Sequence, residues 1–370
     1  MLDRREQRPL LDDFTAALHE GAPVAVLDPG WPRRLLDTAR AELAEAARQG
    51  RVGAGRLVLF TSGSGGGPRG VVRTHASWRA SLAPLTDLLG LTGADVVWTP
   101  GPMWSSLSLY AAWHATTVGA ATVLAGEDPS AATVVHTVPS ALPRLRRLAA
   151  GGGLAVLRTV VLAGEPVQES HRAACAAAGW RVAEYYGAAE LSFVGWSGDG
   201  RPWTPFPGAE VELRRGRVWV RSPYLAEGYL DDRPGALCRD GGGWAGVGDL
   251  AVASGGGFTV TGRGTGAIST GGHTVLAEHV EAVLLRVAGV EGVLVVGRPH
   301  PDLGEVVTAL VVGAAGAAAL RAAVDGLPAS SRPRRWGRVT ELPRTSSGKP
   351  DRAGARARVA DGTIATGALT

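Results

Sequence analysis

Thr61-Ser-Gly-Ser-Gly-Gly-Gly-Pro-Arg-Gly70 is the stretch on which the reading of this chain turns. It follows directly on Arg56-Leu-Val-Leu-Phe-Thr61, a short apolar run that reads as a strand. Hydroxyls and unrestricted glycines after a strand can turn several backbone N–H groups toward one anion, as phosphate loops do. No Gly-Lys-Ser/Thr closes the loop, and no G-x-G-x-x-G opens a helix behind it. Neither the Walker nor the dinucleotide-binding design therefore applies. The bland alternative is a flexible surface linker.

Outward from the loop, strands alternate with helices. Residues 34–49 carry Leu35, Leu36, Ala39, Leu43 and Ala46 near one helical face. Strand then helix is expected over 71–92, and helices over 140–150 and 166–179. Residues 94–99, 119–124, 133–138, 157–163 and 181–186 read as buried strands, so a largely parallel α/β sheet is expected. Beyond 205, residues 209–230 and 250–261 alternate as β structure. The polar, glycine-rich 262–272 reads as a hinge, with helices at 278–288 and 316–325 and strands at 290–296 and 305–312 beyond it. The expected organisation is an α/β chain with a large nucleotide- and acid-binding domain over 1–262. Its β-rich subdomain covers about 205–262, and a small mobile α+β domain covers 263–370.

Composition excludes several classes. A hydrophobic share of 45% over 370 residues supports a sizeable core and rules out disorder. The net charge of +4 is mild and the arginines are scattered, so nucleic acid is not an expected partner. Cys175 and Cys238 form neither a disulfide framework nor a metal-ligand spacing. The charged N-terminus leads into no signal segment, and no apolar run approaches the length of a membrane span. A soluble, cytoplasmic protein with no membrane partner is expected. Of the 38 basic residues only Lys349 is lysine.

The glycine loop resembles the T-S-G-[ST]-T-G-x-P-K-G signature of the adenylate-forming superfamily, which includes acyl-CoA synthetases and peptide-synthetase adenylation domains. Further segments follow in that family's order. Leu162-Ala-Gly-Glu-Pro166 resembles G-G-E-P, and Tyr185-Tyr-Gly-Ala-Ala-Glu190 resembles Y-G-x-T-E. Gly243-Trp-Ala-Gly-Val-Gly-Asp249 resembles G-W-x-x-T-G-D, and Gly262-Arg-Gly-Thr-Gly-Ala-Ile268 resembles G-R-x-D-x-x-I. Leu342-Pro-Arg-Thr-Ser-Ser-Gly-Lys349 resembles L-P-R-T-x-x-G-K, so the matches run over 57–352.

The resemblance implies ATP-dependent adenylation of a small-molecule carboxylic acid, an aryl or unsaturated/fatty acid being favoured, and transfer to a thiol. Thr61, Ser62, Gly63, Ser64, Gly66 and Arg69 would close over the phosphates, and Glu190 would hold Mg²⁺. Gly164, Glu165, Pro166, Tyr186 and Gly187 would wall the adenine, and Asp249 with Arg263 would hold the ribose. Lys349 would supply the catalytic cation, a point charge that an Arg fork fits less well. Trp104, Ser105, Trp113, Ala163, Glu184, Tyr185, Leu191 and Phe193 would line the acid pocket. Gly271, Gly272 and His273 would border a pantetheine tunnel, with CoA or the phosphopantetheine of an acyl carrier protein as acceptor.

The chain also departs from the pattern. Gly65, Ala189 and Val247 stand where threonines are usual, Thr265 at the usual hinge Asp and Ser269 at a common Lys. Each lost hydrogen bond to nucleotide costs about 0.5–1.5 kcal/mol. The glycine loop begins early, so the large domain is expected to be truncated at its start. Residues 1–56 are then expected to cap the sheet or meet a partner, a homodimer among the options. Two other readings stay open: an adenylating enzyme with a non-thiol acceptor (amide formation, or activation of a small acid such as nitrite), and a degenerate nucleotide- or acyl-binding module.

Overall fold

A computed structural model describes residues 4–61, 69–165, 167, 169–198, 202–231, 235–263, 267–270, 273–301, 303–327, 329–345 and 348–369. The chain opens with α1 (Arg4–Glu20), β1 (Val24–Val26) and α2 (Arg33–Arg48), followed by the hairpin β2 (Arg56–Thr61) and β3 (Arg69–Thr74). Helices α3 (His75–Arg79) and α4 (Leu82–Leu89) lead into β4 (Val96–Thr99), α5 (Ser106–Thr117), β5 (Ala121–Leu124), β6 (Val134–Thr137), α6 (Leu142–Ala150), β7 (Thr159–Ala163) and α7 (Glu169–Ala177). Next come β8 (Arg181–Ala188), β9 (Ser192–Gly198) and β10 (Thr204–Pro205). These last strands complete a seven-stranded sheet in the order β10-β9-β8-β7-β6-β4-β5. From β5 to β8 it is parallel, while β9 and β10 run antiparallel. Strands β6 and β7 are buried at every position, because helices cover both faces of a parallel sheet. That double burial is why both are rich in valine and leave even His136, Thr137 and Thr159 buried.

The β-rich region holds β11 (Glu210–Arg214), β12 (Arg217–Arg221), β13 (Gly228–Tyr229), β14 (Cys238–Arg239), β15 (Ala245–Gly246), β16 (Asp249–Ser254) and β17 (Gly257–Arg263). All but β13 form one sheet, and β13 instead pairs antiparallel with β3. The final region holds β18 (Ala267–Thr270), β19 (His273–Leu276), α8 (Ala277–Leu284), β20 (Val290–His300), β21 (Gly304–Gly313), α9 (Ala317–Val324), β22 (Arg335–Arg338) and α10 (Arg352–Ala360). Its sheet has α8 and α9 packed on one apolar cluster and α10 on another.

The N-terminal segment, whose charges conceal its pattern, is helical. Leu11, Phe14 and Leu18 recur at helical spacing and are buried. Phe14 meets Trp78 and Trp113 edge-on, with ring centroids 5.6 and 6.3 Å apart. Strand β1 pairs parallel with β2. Residues 4–48 therefore cover the apolar flank that the sequence left open. Among the described residues no helix is long and apolar enough to cross a membrane.

Candidate adenylation site

Ligand crevices in open α/β sheets lie beyond the carboxyl ends of the parallel strands. Here β7 ends at Ala163 and β8 runs out through Tyr185-Tyr-Gly-Ala188. A cavity of about 100 Å³ opens between these ends and the start of α5. Ala163, Gly164, Tyr185, Gly187 and Phe193 reach its wall as expected, and so does Lys349 from the far end of the chain.

A tight turn carries the lysine. The Gly348 N–H donates to the Thr345 carbonyl and the Thr345 N–H to the Lys349 carbonyl, both at 2.8 Å. Gly348 has φ +86°, which suits glycine. The Arg344 Nη1 donates to the Gly348 carbonyl (2.6 Å) and to Ser140 Oγ (3.4 Å). Ser140 in turn donates from its N–H and its hydroxyl to the Glu165 carboxylate, both at 2.9 Å. This chain of contacts seats the turn on the sheet, and Lys349 passes over Gly164. A Cβ built on Gly164 would lie 3.1 Å from Lys349 Cε and 3.3 Å from Nζ.

Glu190 sits one step beyond β8. Tyr229 Oη donates to its Oε1 at 2.9 Å and accepts from the Leu237 N–H at 3.2 Å. Burial and the Glu190 charge push the Tyr229 hydroxyl up to about 12, so it remains a donor. Arg69 stacks on the Tyr229 ring at 3.5 Å and pairs with Asp231 at 2.8 Å. Its guanidinium is thus engaged by Tyr229 and Asp231. Asp249 is buried and accepts from Tyr186 Oη at 2.6 Å. The Tyr186 ring packs against Trp203 and Phe258. Arg263 stands in register with Asp249 across β16 and β17.

Tyr186 and Glu190 flank cavity-lining residues in sequence, Tyr186 between Tyr185 and Gly187 and Glu190 next to Ala189, and Tyr186 carries Asp249 by its hydrogen bond. A hard divalent cation that keeps most of its water takes only one or two protein carboxylates. Glu190 fits, because among the described residues only the Tyr229 hydroxyl engages its carboxylate. No cluster of three metal-ligating side chains occurs among the described residues. Ser62, Gly63, Ser64, Gly66, Pro166, Gly271 and Gly272 lie outside the described residues, as do the side chains of Arg263 and His273.

The acid pocket needs correction. Glu184 faces the opposite side of β8 from Tyr185 because side chains alternate along a strand. It is fully buried and pairs with Arg172 of α7, Nε–Oε1 at 2.6 Å and Nη2–Oε2 at 2.9 Å. Leu191 packs toward the β-rich sheet with Val194 and Val218. Trp113 stacks on Trp78 in the core, and Trp104 is buried in the same cluster. Ser105 precedes α5, while its neighbours Ser106 and Leu107 reach the cavity. Trp78, Tyr110 and Arg73 line the cavity and were not anticipated. Trp78 lies on a one-turn helix and Arg73 in a strand read as ordinary, so neither carried a motif signal.

The comparisons with known proteins agree with this geometry. Residues 6–230 match the AMP-binding enzyme model, and residues 279–349 match the AMP-binding enzyme C-terminal domain. The chain is 30% identical over 356 residues to the uncharacterized acyl-CoA ligase YhfT of Bacillus subtilis strain 168, covering 87% of this chain and 73% of that one. It is 34% identical over 331 residues to a probable 2-succinylbenzoate-CoA ligase of Mycobacterium tuberculosis, covering 80% and 82% respectively. Among solved structures, the amide bond synthetase McbA of Marinactinospora thermotolerans matches with TM-score 0.70 and 29% identity, over 82% of this chain and 69% of that one. ATP-bound MatB of Rhodopseudomonas palustris matches with TM-score 0.71 and 25% identity, over 82% and 68%. With both models matched in order and the lysine turn seated on the sheet, the chain belongs to the AMP-binding enzyme family.

Proposed function

We propose that the chain activates a carboxylic acid with ATP and then passes the acyl group to a thiol. In the first step a carboxylate oxygen attacks the α-phosphorus, the bond to the bridging oxygen breaks, and pyrophosphate leaves with its electron pair. The observation that carries this reading is Lys349 at Gly164, where both line the cavity at the ends of β7 and β8. An ammonium there offsets charge that accumulates in the transition state, where preorganised charges act most strongly. Asp249, already a hydrogen-bond acceptor in a buried position, suits ribose hydroxyls. Mg²⁺ at Glu190 would supply charge neutralisation on the phosphates. Tyr229 holds that carboxylate in one orientation.

The second step exchanges AMP for a thiol sulfur at the acyl carbon, and the CoA-ligase relatives favour CoA as its source. The McbA likeness keeps an amine acceptor as a second reading. ATP–pyrophosphate exchange across a panel of acids, followed by product analysis with CoA and with amines, tests the proposal. Exchange with at least one acid and thioester formation with CoA are expected. No exchange with any acid would sink the adenylation reading, and amide without thioester would sink the acceptor.

A further inference from the structure

We infer that Arg73 recognises a second carboxylate on the acid, so that the preferred substrate is a dicarboxylic acid rather than a plain monoacid. The inference rests on the adenylation reading for what happens to the first carboxylate. Arg73 lies on β3, is 1% exposed, and lines the cavity together with Leu59, Trp78 and Tyr110. Its Nη1 and Nη2 donate to the carbonyls of Ala189 and Tyr224, which fixes the plane of the guanidinium. Its Nε is buried with no hydrogen-bond partner. Two of its five N–H donors are thus engaged, and Arg73 borders the cavity with hydrogen-bonding capacity left over.

The electrostatics point the same way. Among the described residues no carboxylate lies within ion-pair distance of Arg73. Glu190 acts on it only from farther off, and the Glu190 carboxylate is held by Tyr229. Burial is severe enough to pull the guanidinium down to about 10. A charge kept in an apolar, aromatic surround without a counter-ion is costly, and an anionic ligand relieves that cost. The cavity wall carries two cations, Arg73 and Lys349, and no Asp or Glu. Lys349, at the strand end beside Gly164, takes the reacting carboxylate. Arg73, among the aromatic side chains, remains for the other end of the molecule. If Arg73 were only a strut between Ala189 and Tyr224, its charge would not affect which acid binds.

Calorimetric titration of the full chain with matched acids tests this directly, without requiring turnover. Butanoate is compared with succinate, and phenylacetate with its 4-carboxy derivative. A charge-assisted hydrogen bond predicts that the diacid of at least one pair binds about tenfold to a hundredfold more tightly. Arg73→Gln should abolish that preference while changing monoacid affinity less than about threefold. Equal affinities within both pairs, no measurable diacid binding, a preference that survives Arg73→Gln, or equal loss of mono- and diacid in the variant would each overturn the inference. If Arg73→Gln does not fold, the wild-type comparison still decides, and Arg73→Lys, which keeps the charge without the fork, replaces it. A tightly bound diacid that supports no pyrophosphate exchange overturns the proposed reaction and leaves the recognition site standing.

Discussion

Replacing Gly164 by alanine tests whether the reach of Lys349 into the crevice governs the chemistry. Gly164 has φ +80°, so any side chain there is strained by about 1–2 kcal/mol. The added methyl would stand 3.1 Å from Lys349 Cε and 3.3 Å from Nζ. Carbon contacts relax to about 3.5–4.0 Å, so the lysine end must retreat by roughly half an ångström. A displacement of about 1 Å can lower a rate roughly a hundredfold, so about a tenfold loss is expected here. ATP–pyrophosphate exchange reads the chemistry, and urea unfolding of the same preparation reads the strain. The effect must vanish in a Lys349→Ala background, because no lysine remains to be displaced. Exchange at the parent rate, or a tenfold loss that persists without the lysine, would show that the contact plays no part.

Tyr229→Phe removes the hydrogen bond that orients Glu190, and should raise the Mg²⁺ concentration for half-maximal exchange several-fold, as a loss of about 1 kcal/mol implies. A magnesium titration with unchanged midpoint would argue against Glu190 as the metal carboxylate. Arg172→Met strands the fully buried Glu184, so a loss of about 3–5 kcal/mol in unfolding free energy is expected with the acid preference unchanged. A shift in acid preference with normal stability would restore Glu184 to the pocket. His114 and His136 are held down to about 4 and about 3 by burial, so both stay neutral in the fold while the unfolded chain takes up protons from pH 6.5 downward. Their contribution is fully present above pH 6.5 and is lost as pH falls toward 3, with His114 alone accounting for about 3 kcal/mol. Urea titrations between pH 7 and 4 should show this slope, and it should shrink in His136→Leu.

The strands were legible because β6 and β7 are short valine-rich runs, buried at every position, a pattern that a doubly covered parallel sheet favours. Lys349, Glu190 and Asp249 stood out as candidates because each stands in a short segment that resembles a family motif. The acid cavity was much less legible. Beyond the β7–β9 segment, its wall takes one residue each from β2, β3 and α3 and three from α5, which share no run of sequence. The Glu184 error came from treating a run of adjacent residues as one surface, when a strand divides it between two faces. Helix α1 was hidden because seven charged residues and Pro9 mask the three apolar positions that bury it.

Arginine and lysine occupy their two positions in this site for different physical reasons. At position 69 the cation stacks flat on Tyr229 and pairs with Asp231, and both contacts use the plane and fork of a guanidinium. At position 349 the side chain passes so close to a glycine that a methyl carbon there would lie only just over 3 Å from it. A slim methylene stem ending in a compact ammonium fits that gap, whereas a planar guanidinium needs room on both sides of its stem. In the proposed reaction the same passage would bring the charge to where phosphate and carboxylate meet, so electrostatics would favour lysine as sterics do. In a chain with 38 basic residues and a single lysine, composition alone left Lys349 open to chance. The Gly164 contact supplies the constraint that composition lacked. It also makes the glycine and the lysine one functional unit, though they lie in segments far apart in the sequence.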